Sequence, residues 1–253
     1  MEKVFFLADT HLGASYFHDK KERELEVVRF LDSIKEEAHE LFLLGDILDY
    51  WFEYKHVVPR GYVRFFGKLA ELSDAGIKIT WIIGNHDIWI FDYIPRELGI
   101  NVIDGVLETK IEGIPFCIQH GDAIAGTKKF KLLRSFFRNK TCQKLYSGIH
   151  PRWTVGFALA CSKHSRTNTV VPEETREIYI RQMEEWCKDQ IIQGNGSKYF
   201  LFGHLHEKVE VELPEGRKMI IIPSFPENGE YGIFNGKTFE IRSFKSQLNL
   251  TKG

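Results

Sequence analysis

Five short stretches of the 253-residue chain carry side chains that could do chemistry, and each follows directly on an apolar run. Ile79-Thr80-Trp81-Ile82-Ile83-Gly84 leads into Asn85, His86 and Asp87 with no spacer. Val4 to Ala8 leads into Asp9-Thr10-His11, and Leu41 to Gly45 into Asp46, with Asp49 three residues on. Phe116-Cys117-Ile118 leads into Gln119-His120-Gly121-Asp122, and Tyr199 to Gly203 into His204-Leu205-His206. One such junction is an ordinary polar turn after a strand. Five in one chain point to a single site gathered at the carboxyl ends of strands. Asp9 and His11 lie two apart, as do His204 and His206, and in extended backbone residues two apart share a face. With Asp46, Asn85 and His120 they make seven candidate ligands. Imidazole nitrogen and carboxylate or amide oxygen, with no thiolate, suit Mn, Fe or Zn better than an all-oxygen Mg or Ca site. Seven protein ligands exceed one open site and suit two cations that share a carboxylate. A cation pair roughly 3.5–4 Å apart binds a phosphoryl oxygen, makes hydroxide from water near neutral pH and stabilises in-line displacement. His86, between an amide and a carboxylate, is placed for proton work near pH 7.

The elements that must position these groups follow from periodicity. The runs before the polar groups are short and rich in β-branched and aromatic residues, as buried strands are. Asp19 to His39 is expected to be a helix, with Leu25, Val28, Leu31 and Ile34 on one stripe. Tyr62 to Asp74 is a second, with Val63, Phe66 and Leu69-Ala70 on one side and Gly76 as its stop. Pro95 marks a helix start and Gly99 its end; Val102 to Ile111 alternates toward two short strands, with Glu112-Gly113 as a turn. Strand and helix thus alternate from the start, the order of an α/β unit. Glu173 to Gln193 is predicted as a long helix with Pro172 in its first turn and Gly194 as its stop. Val209 to Phe244 is predicted to be β, with turns at Pro214-Glu215-Gly216, Asn228-Gly229 and Asn235-Gly236. With no repeat and no clear linker, residues 1–253 are expected to form one domain with a helical insert over about 123–193.

Bulk properties narrow the class. Hydrophobic residues at 43% and charged residues at 27% are those of a globular protein. No apolar run approaches the roughly 20 residues of a membrane span, and the first apolar stretch is interrupted by Asp9, so neither a signal peptide nor an anchor is expected. Cys117, Cys142, Cys161 and Cys187 show no metal-type spacing and are expected to be reduced, in a cytoplasmic protein. The net charge of −1 conceals an asymmetry: Ala123 to Pro172 holds ten Lys and Arg and no Asp or Glu, which leaves the rest at −11. In this window Phe130, Leu133 and Phe137, joined by Leu132 and Phe136, form a wide apolar helix face between the cations. Such a window is expected to meet an anionic partner.

Asp-x-His at 9–11, Gly-Asp-x-x-Asp at 45–49, Gly-Asn-His-Asp at 84–87, His-Gly-Asp at 120–122 and Gly-His-x-His at 203–206, in that order, resemble the calcineurin-like metallophosphoesterases. The resemblance implies an α/β (α+β) fold: a four-layer α-β-β-α sandwich of two mostly mixed sheets with a helical cap insert. It implies phosphoester or pyrophosphate hydrolysis with two divalent metal ions, manganese foremost, with iron or zinc as alternatives. In that pattern Asp9, His11 and His206 hold one ion, Asn85, His120 and His204 the other, and Asp46 bridges them. His86 faces the scissile phosphate as proton donor or charge stabiliser, with Asp49 orienting it. Asp87 and Asp122 are expected to hydrogen-bond around the ligands rather than to join them.

Two features resemble one branch, the UDP-2,3-diacylglucosamine diphosphatases of lipid A biosynthesis. In Gly45-Asp46-Ile47-Leu48-Asp49-Tyr50-Trp51 a tryptophan follows the acidic position at that branch's spacing, which makes Trp51 a candidate substrate contact. The basic, apolar and aromatic insert suits a ligand with phosphates at one end and acyl chains at the other, and Lys163, Ser165 and Arg166 are candidates for phosphate or nucleotide contact. The branch implies cleavage of UDP-2,3-diacylglucosamine to UMP and 2,3-diacylglucosamine 1-phosphate. The chain departs from it at His86, where the best-known enzymes of the branch carry arginine. The expected partner is therefore a phosphorylated small molecule or nucleotide-lipid. Peripheral contact with an anionic membrane surface through the insert is also expected, and nucleic acid is not. Two rivals are a nuclease or phosphodiesterase whose basic window grips a nucleic-acid backbone, and a non-catalytic metal-binding interaction protein. The first needs an open groove with stacking aromatics, whereas the apolar spacing of the window predicts a closed hydrophobic slot. The second leaves the seven donors and His86 without a role.

Overall fold

The computed structural model describes residues 3–167 and 172–245, the side chains of 159 and 161–167 excepted. The chain opens as strand β1 (Lys3–Leu7), helix α1 (Lys20–Ile34), β2 (Ala38–Leu43), α2 (Val63–Asp74), β3 (Lys78–Ile82), α3 (Tyr93–Leu98) and β4 (Asn101–Ile103). It continues as β5 (Leu107–Ile111) and β6 (Ile114–Ile118), then α4 (Lys128–Arg138), α5 (Lys140–Ser147), α6 (Pro151–Thr167) and α7 (Glu173–Ile192). It closes with β7 (Tyr199–Phe202), β8 (Val209–Leu213), β9 (Arg217–Ile221), α8 (Phe225–Asn228), β10 (Glu230–Phe234) and β11 (Phe239–Ser243).

Two mixed sheets result. In the first the order is β11-β10-β1-β2-β3-β4, with β1 to β4 parallel and β10 antiparallel to β1. In the second it is β5-β6-β7-β9-β8, with β6, β7 and β9 parallel and the edges antiparallel. The period-two side-chain pattern sorts each central strand between two cores. Val4, Phe6 and Ala8 join Phe42 and Leu44 against Phe116, Ile118, Leu201 and Ile220 of the facing sheet. Phe5, Leu7, Leu41 and Leu43 point the other way, onto Phe30 and Leu31 of α1 and Phe65 and Leu69 of α2. Behind the second sheet Phe200, Phe202 and Met219 pack on Met183 and Cys187 of α7. Strands buried on both faces explain the unbroken apolar runs. Phe6 stacks on Phe42 at 5.1 Å between ring centroids; each such buried side chain stabilises by about 1.5–3 kcal/mol. The four layers are therefore helix, sheet, sheet, helix, as the motif order implied.

Several boundaries differ from the sequence expectation. The first helix stops at Ile34, not His39, although Lys35-Glu36-Glu37 are good helix formers. Parallel pairing with β1 recruits Ala38 to Glu40 into β2 and overrides local propensity. Its start is set by Asp19, whose side chain accepts from Glu22 N at 2.9 Å. Asn228-Gly229 is not a hairpin turn; Phe225 and Pro226 are buried, and Gly229, at φ 65°, ends the short helix they begin. The insert divides in two. Helix α7 is the outer layer of the sandwich, so only α4, α5 and α6 form a cap, seated on the first core through Phe137, Tyr146, Val155 and Ala158. The rest of the cap's apolar surface is not a closed slot: Leu132, Phe136, Leu145, Trp153 and Phe157 are 57–73% exposed. Among the described residues no helix is long and apolar enough to cross a membrane.

Candidate metal centre

The polar groups that follow β1, β2, β3, β6 and β7 meet at one rim of the sandwich. The backbone reaches it by a route the sequence did not suggest. Asp9, His11, Asp46, His204 and His206 all have positive φ, between 43° and 71°. The two spaced pairs, Asp9/His11 and His204/His206, therefore do not sit on extended backbone, as their spacing predicted; each member lies in the left-handed region, uncommon for non-glycine residues. Such residues cost on the order of 1–3 kcal/mol each and persist only where the surroundings enforce them.

The enforcing contacts are visible. Asp9 N donates to Gly45 O at 3.1 Å and His11 N to Asp46 O at 2.9 Å, lacing the first two turns together. Thr10 Oγ1 donates to Ile47 O at 2.7 Å, and Ser224 Oγ to Asp9 O at 2.8 Å. Each of the two central carboxylates divides its work. One oxygen of Asp9 accepts from His204 N at 2.9 Å, and one of Asp46 from His86 N at 2.8 Å. Glycine is required where these carboxylates pass: a Cβ on Gly203 would lie 2.7 Å from Asp9 Oδ2, and one on Gly84 would run into Asp46 Oδ1.

The remaining oxygens face imidazoles. Asp9 Oδ1 lies 3.3 Å from His206 Nε2 and 3.7 Å from His11 Nε2, and those two nitrogens are 3.1 Å apart. Asp46 Oδ2 lies 3.4 Å from His120 Nε2, 3.8 Å from His11 Nε2 and 3.9 Å from His86 Nε2. His120 Nε2 is also 3.3 Å from Asn85 Oδ1, and a donor of His204 falls within 4.8 Å of those of Asp46 and His120. The structure thus brings all seven candidate ligands together in two corners that share Asp46. The groups fit a cation pair. Asp9 Oδ1 is buried without a hydrogen-bond donor, and in the first corner it and the two imidazole nitrogens lie 3.1–3.7 Å from one another, the spacing of groups bound about 2.0–2.2 Å from one transition metal. His120 Nδ1 lies 2.8 Å from Leu44 O, a contact that an N–H makes, so Nε2 presents its lone pair to the centre.

Acids and imidazoles act on one another here: against burial, Asp46 holds the His120 imidazole well above its usual range. Burial works against the charge of Asp9, but His206 and His11 outweigh it and hold the carboxyl below the usual range. Asp46 is likewise held well down, with His120 and His86 overcoming burial. Burial and His120 push the His204 imidazole down to about 4, which keeps it in the neutral form a ligand needs. Burial and the charge of Asp46 push Asp87 up to about 6. Asp87 is not among the converging donors: it accepts from Gly84 N at 2.7 Å, Ile47 N at 2.9 Å and Trp81 Nε1 at 3.1 Å, stapling one ligand loop to the next.

His86 is 19% exposed and opens outward from the centre. Its Nδ1 lies 3.0 Å from the main-chain oxygen of Asp49 and 3.6 Å from that residue's carboxylate. Asp49 therefore holds the ring chiefly through its backbone, a closer contact than the carboxylate makes. Trp51 is not a substrate contact: it is fully buried against Phe66 and Tyr62, and its indole donates to Glu53 Oε1 at 3.0 Å. The side chains of Lys163, Ser165 and Arg166 lie outside the described residues. Asp122 is gripped from the cap by Arg134, with Arg138 at 3.6 Å. Sequence reasoning counted these two arginines only as part of a basic window; their spacing of four was legible, their distant acidic partners were not. Glu53 was also missed. Buried, it accepts from the main-chain N–H groups of Phe91, Asp92 and Tyr93 and so caps α3.

Beside the centre a cleft of about 760 Å³ runs between the core and α6. Leu12, Tyr50, Val58, Tyr62 and Val155 line it, and Lys20, Lys21, Arg60, Arg64 and Arg152 stand in its walls. Leu12 and Tyr50 each follow a residue of the polar rim, His11 and Asp49, but none of the seven candidate ligands lines the cleft.

The chain is similar to known proteins. The family model of the calcineurin-like phosphoesterases matches residues 2–208. A UDP-2,3-diacylglucosamine hydrolase of Porphyromonas gingivalis is 34% identical over 96% of this chain and 98% of its own length. Another so named, from Nitrosococcus oceani, is 22% identical over 80% of this chain and 78% of its own. Among solved structures, a phosphoesterase from E. coli aligns with a TM-score of 0.45 at 14% identity, covering 97% of this chain and 94% of that one.

Proposed function

The chain belongs to the calcineurin-like phosphoesterase family and is a metal-dependent hydrolase, and we propose that it cleaves UDP-2,3-diacylglucosamine to UMP and 2,3-diacylglucosamine 1-phosphate. The observation that carries this substrate is the 34% identity, over nearly the whole of both chains, to a protein named for that hydrolysis. The cleft supports it: an apolar floor whose walls carry five cations and one acid, Glu24, suits a molecule with acyl chains and a pyrophosphate.

The ions are proposed to be manganese, one in the Asp9–His11–His206 corner, one in the Asn85–His120–His204 corner, with Asp46 shared. When bound, such a pair supplies Lewis acidity toward a phosphoryl oxygen and a water deprotonated near neutral pH. The protein's own groups do the rest. His86, with Nδ1 donating to Asp49 O, has only Nε2 left to face substrate. In its imidazolium form it holds a proton there for the departing oxygen. Asp87 and Asp122 fix the loops from behind, and the cleft beside α6 would take the acyl portion. Peripheral contact with an anionic membrane at the cytoplasmic face belongs to the same reading. Trp153, Phe157 and Leu145 project 68–71% exposed from a segment that holds ten cations and no acid, and Ala123–Pro172 so composed suits an interfacial surface.

The test is product analysis with manganese and with chelator. Release of UMP that needs the metal is expected; an untouched nucleotide-lipid, with DNA or simple diesters cut instead, rejects the substrate and leaves the family in place.

A further inference from the structure

We propose that α4 is a splint for one corner of the metal centre only, the corner of Asn85, His120 and His204. Phe130, Arg134 and Arg138 recur every fourth residue and so form one stripe along α4. Each touches a different ligand-bearing loop of that corner. The Phe130 ring lies 5.9 Å from the His204 ring. Arg134 Nε donates to Asp122, two residues beyond His120. Arg138 Nη2 donates at 3.2 Å to the carbonyl of Gly84, the residue before Asn85, and lies 3.6 Å from Asp122. Its other nitrogen pairs with Asp104, beyond β4. Arg138 and Arg134 are 13% and 21% exposed and Asp122 only 4%, so the contacts to Asp122 are made largely out of water, whereas Asp104 is 55% exposed. Among the described contacts of α4 none reaches Asp9, His11 or His206. That corner is held instead by Ser224 and by the turns around Asp46.

The arrangement is more than attachment of a cap. Phe137 of the same helix packs on the core, but packing alone gives no reason to place three further inward side chains on three separate ligand loops and to omit the neighbouring corner. Partners that orient a ligand through one intervening group typically change metal affinity about 10–100-fold when removed. The inference rests on the two-ion reading above and assigns Arg134 and Arg138 as positioning residues for one of the two ions.

Manganese titration of the full chain, followed by calorimetry and by electron paramagnetic resonance, tests it. Wild type is expected to bind two ions. In Arg138→Ala one site should keep its affinity while the other weakens about 10–100-fold, so that one equivalent gives the six-line spectrum of an isolated ion and the coupled pair appears only at higher manganese. Arg134→Ala should act in the same direction while leaving the Gly84 and Asp104 contacts of Arg138 in place, and guards against misfolding of the first variant. Arg138→Lys should recover part of the lost affinity, since it keeps the charge but not the planar fork. Equal weakening of both sites, or two unchanged sites in both alanine variants, overturns the splint. A wild type that binds fewer than two ions overturns the two-ion reading and the splint with it.

Discussion

The two corners of the metal centre lie side by side, share one carboxylate and are built by different means. The Asp9–His11–His206 corner is made by the core itself: left-handed turns at strand ends, laced by main-chain hydrogen bonds and by Ser224. The Asn85–His120–His204 corner is completed from outside, by a helix of the insert that the chain makes between β6 and β7. The difference teaches that an insert can do more than cover a site. It leaves the second sheet just after His120, and the chain returns through α7 and β7, whose far end carries His204.

The largest effect should come from the residue that belongs to neither corner. His86→Ala is expected to lower turnover about 10²–10⁴-fold with metal content unchanged, measured by steady-state kinetics beside metal analysis. Loss of an ion in that variant would make His86 a ligand and blur the two-corner division. Gly203→Ala should break the first corner from within, because its new Cβ meets Asp9 Oδ2. Overpacking there is expected to cost about 1–3 kcal/mol in urea unfolding, with the first-corner ion weakened more than the second. Ser224→Ala sharpens the same point at smaller cost. It removes the hydrogen bond to Asp9 O and should lower stability by about 0.5–1.5 kcal/mol, with no change at the second corner in the manganese titration. The smallest stability change, within about 0.5 kcal/mol, is expected for Trp153→Ala with Phe157→Ala. These side chains project from the cap into solvent, and the double variant should lose co-sedimentation with anionic vesicles while both ions stay in place. Unaltered vesicle binding would remove the membrane from the reading.

Much of this centre was legible in the sequence because it is written as junctions. Apolar runs ending in Asp, Asn or His identify strand ends, and strand ends of an α/β sheet share a rim. The seven candidate ligands follow from that pattern, and the four layers from the family resemblance that the motif order carries. The left-handed turns were not legible: aspartate and histidine tolerate that conformation only somewhat better than most residues, so nothing at Asp9 or His206 announces it. Trp51 was misread because its spacing from Asp46 and Asp49 outweighed its neighbours. Ile47-Leu48 and Phe52 on either side are core residues, and their apolar character was the better guide. The roles of Arg134 and Arg138 depend on Asp122, Asp104 and a backbone carbonyl that only the folded chain brings near. The early end of α1 was hidden for a similar reason, since pairing with β1 decides it.

The five candidate ligands with positive φ make the rim act like a set spring, held down by the main-chain hydrogen bonds that lace its turns. The three apolar cores of the sandwich include none of the seven candidate ligands. Chelation should therefore leave helix and strand content intact while the junctions after β1, β2 and β7 relax, a contrast that amide hydrogen exchange would register as fast exchange confined to those turns. The protein would then reach its final shape in two instalments, the scaffold from the sequence and the last loops from the ions in its surroundings.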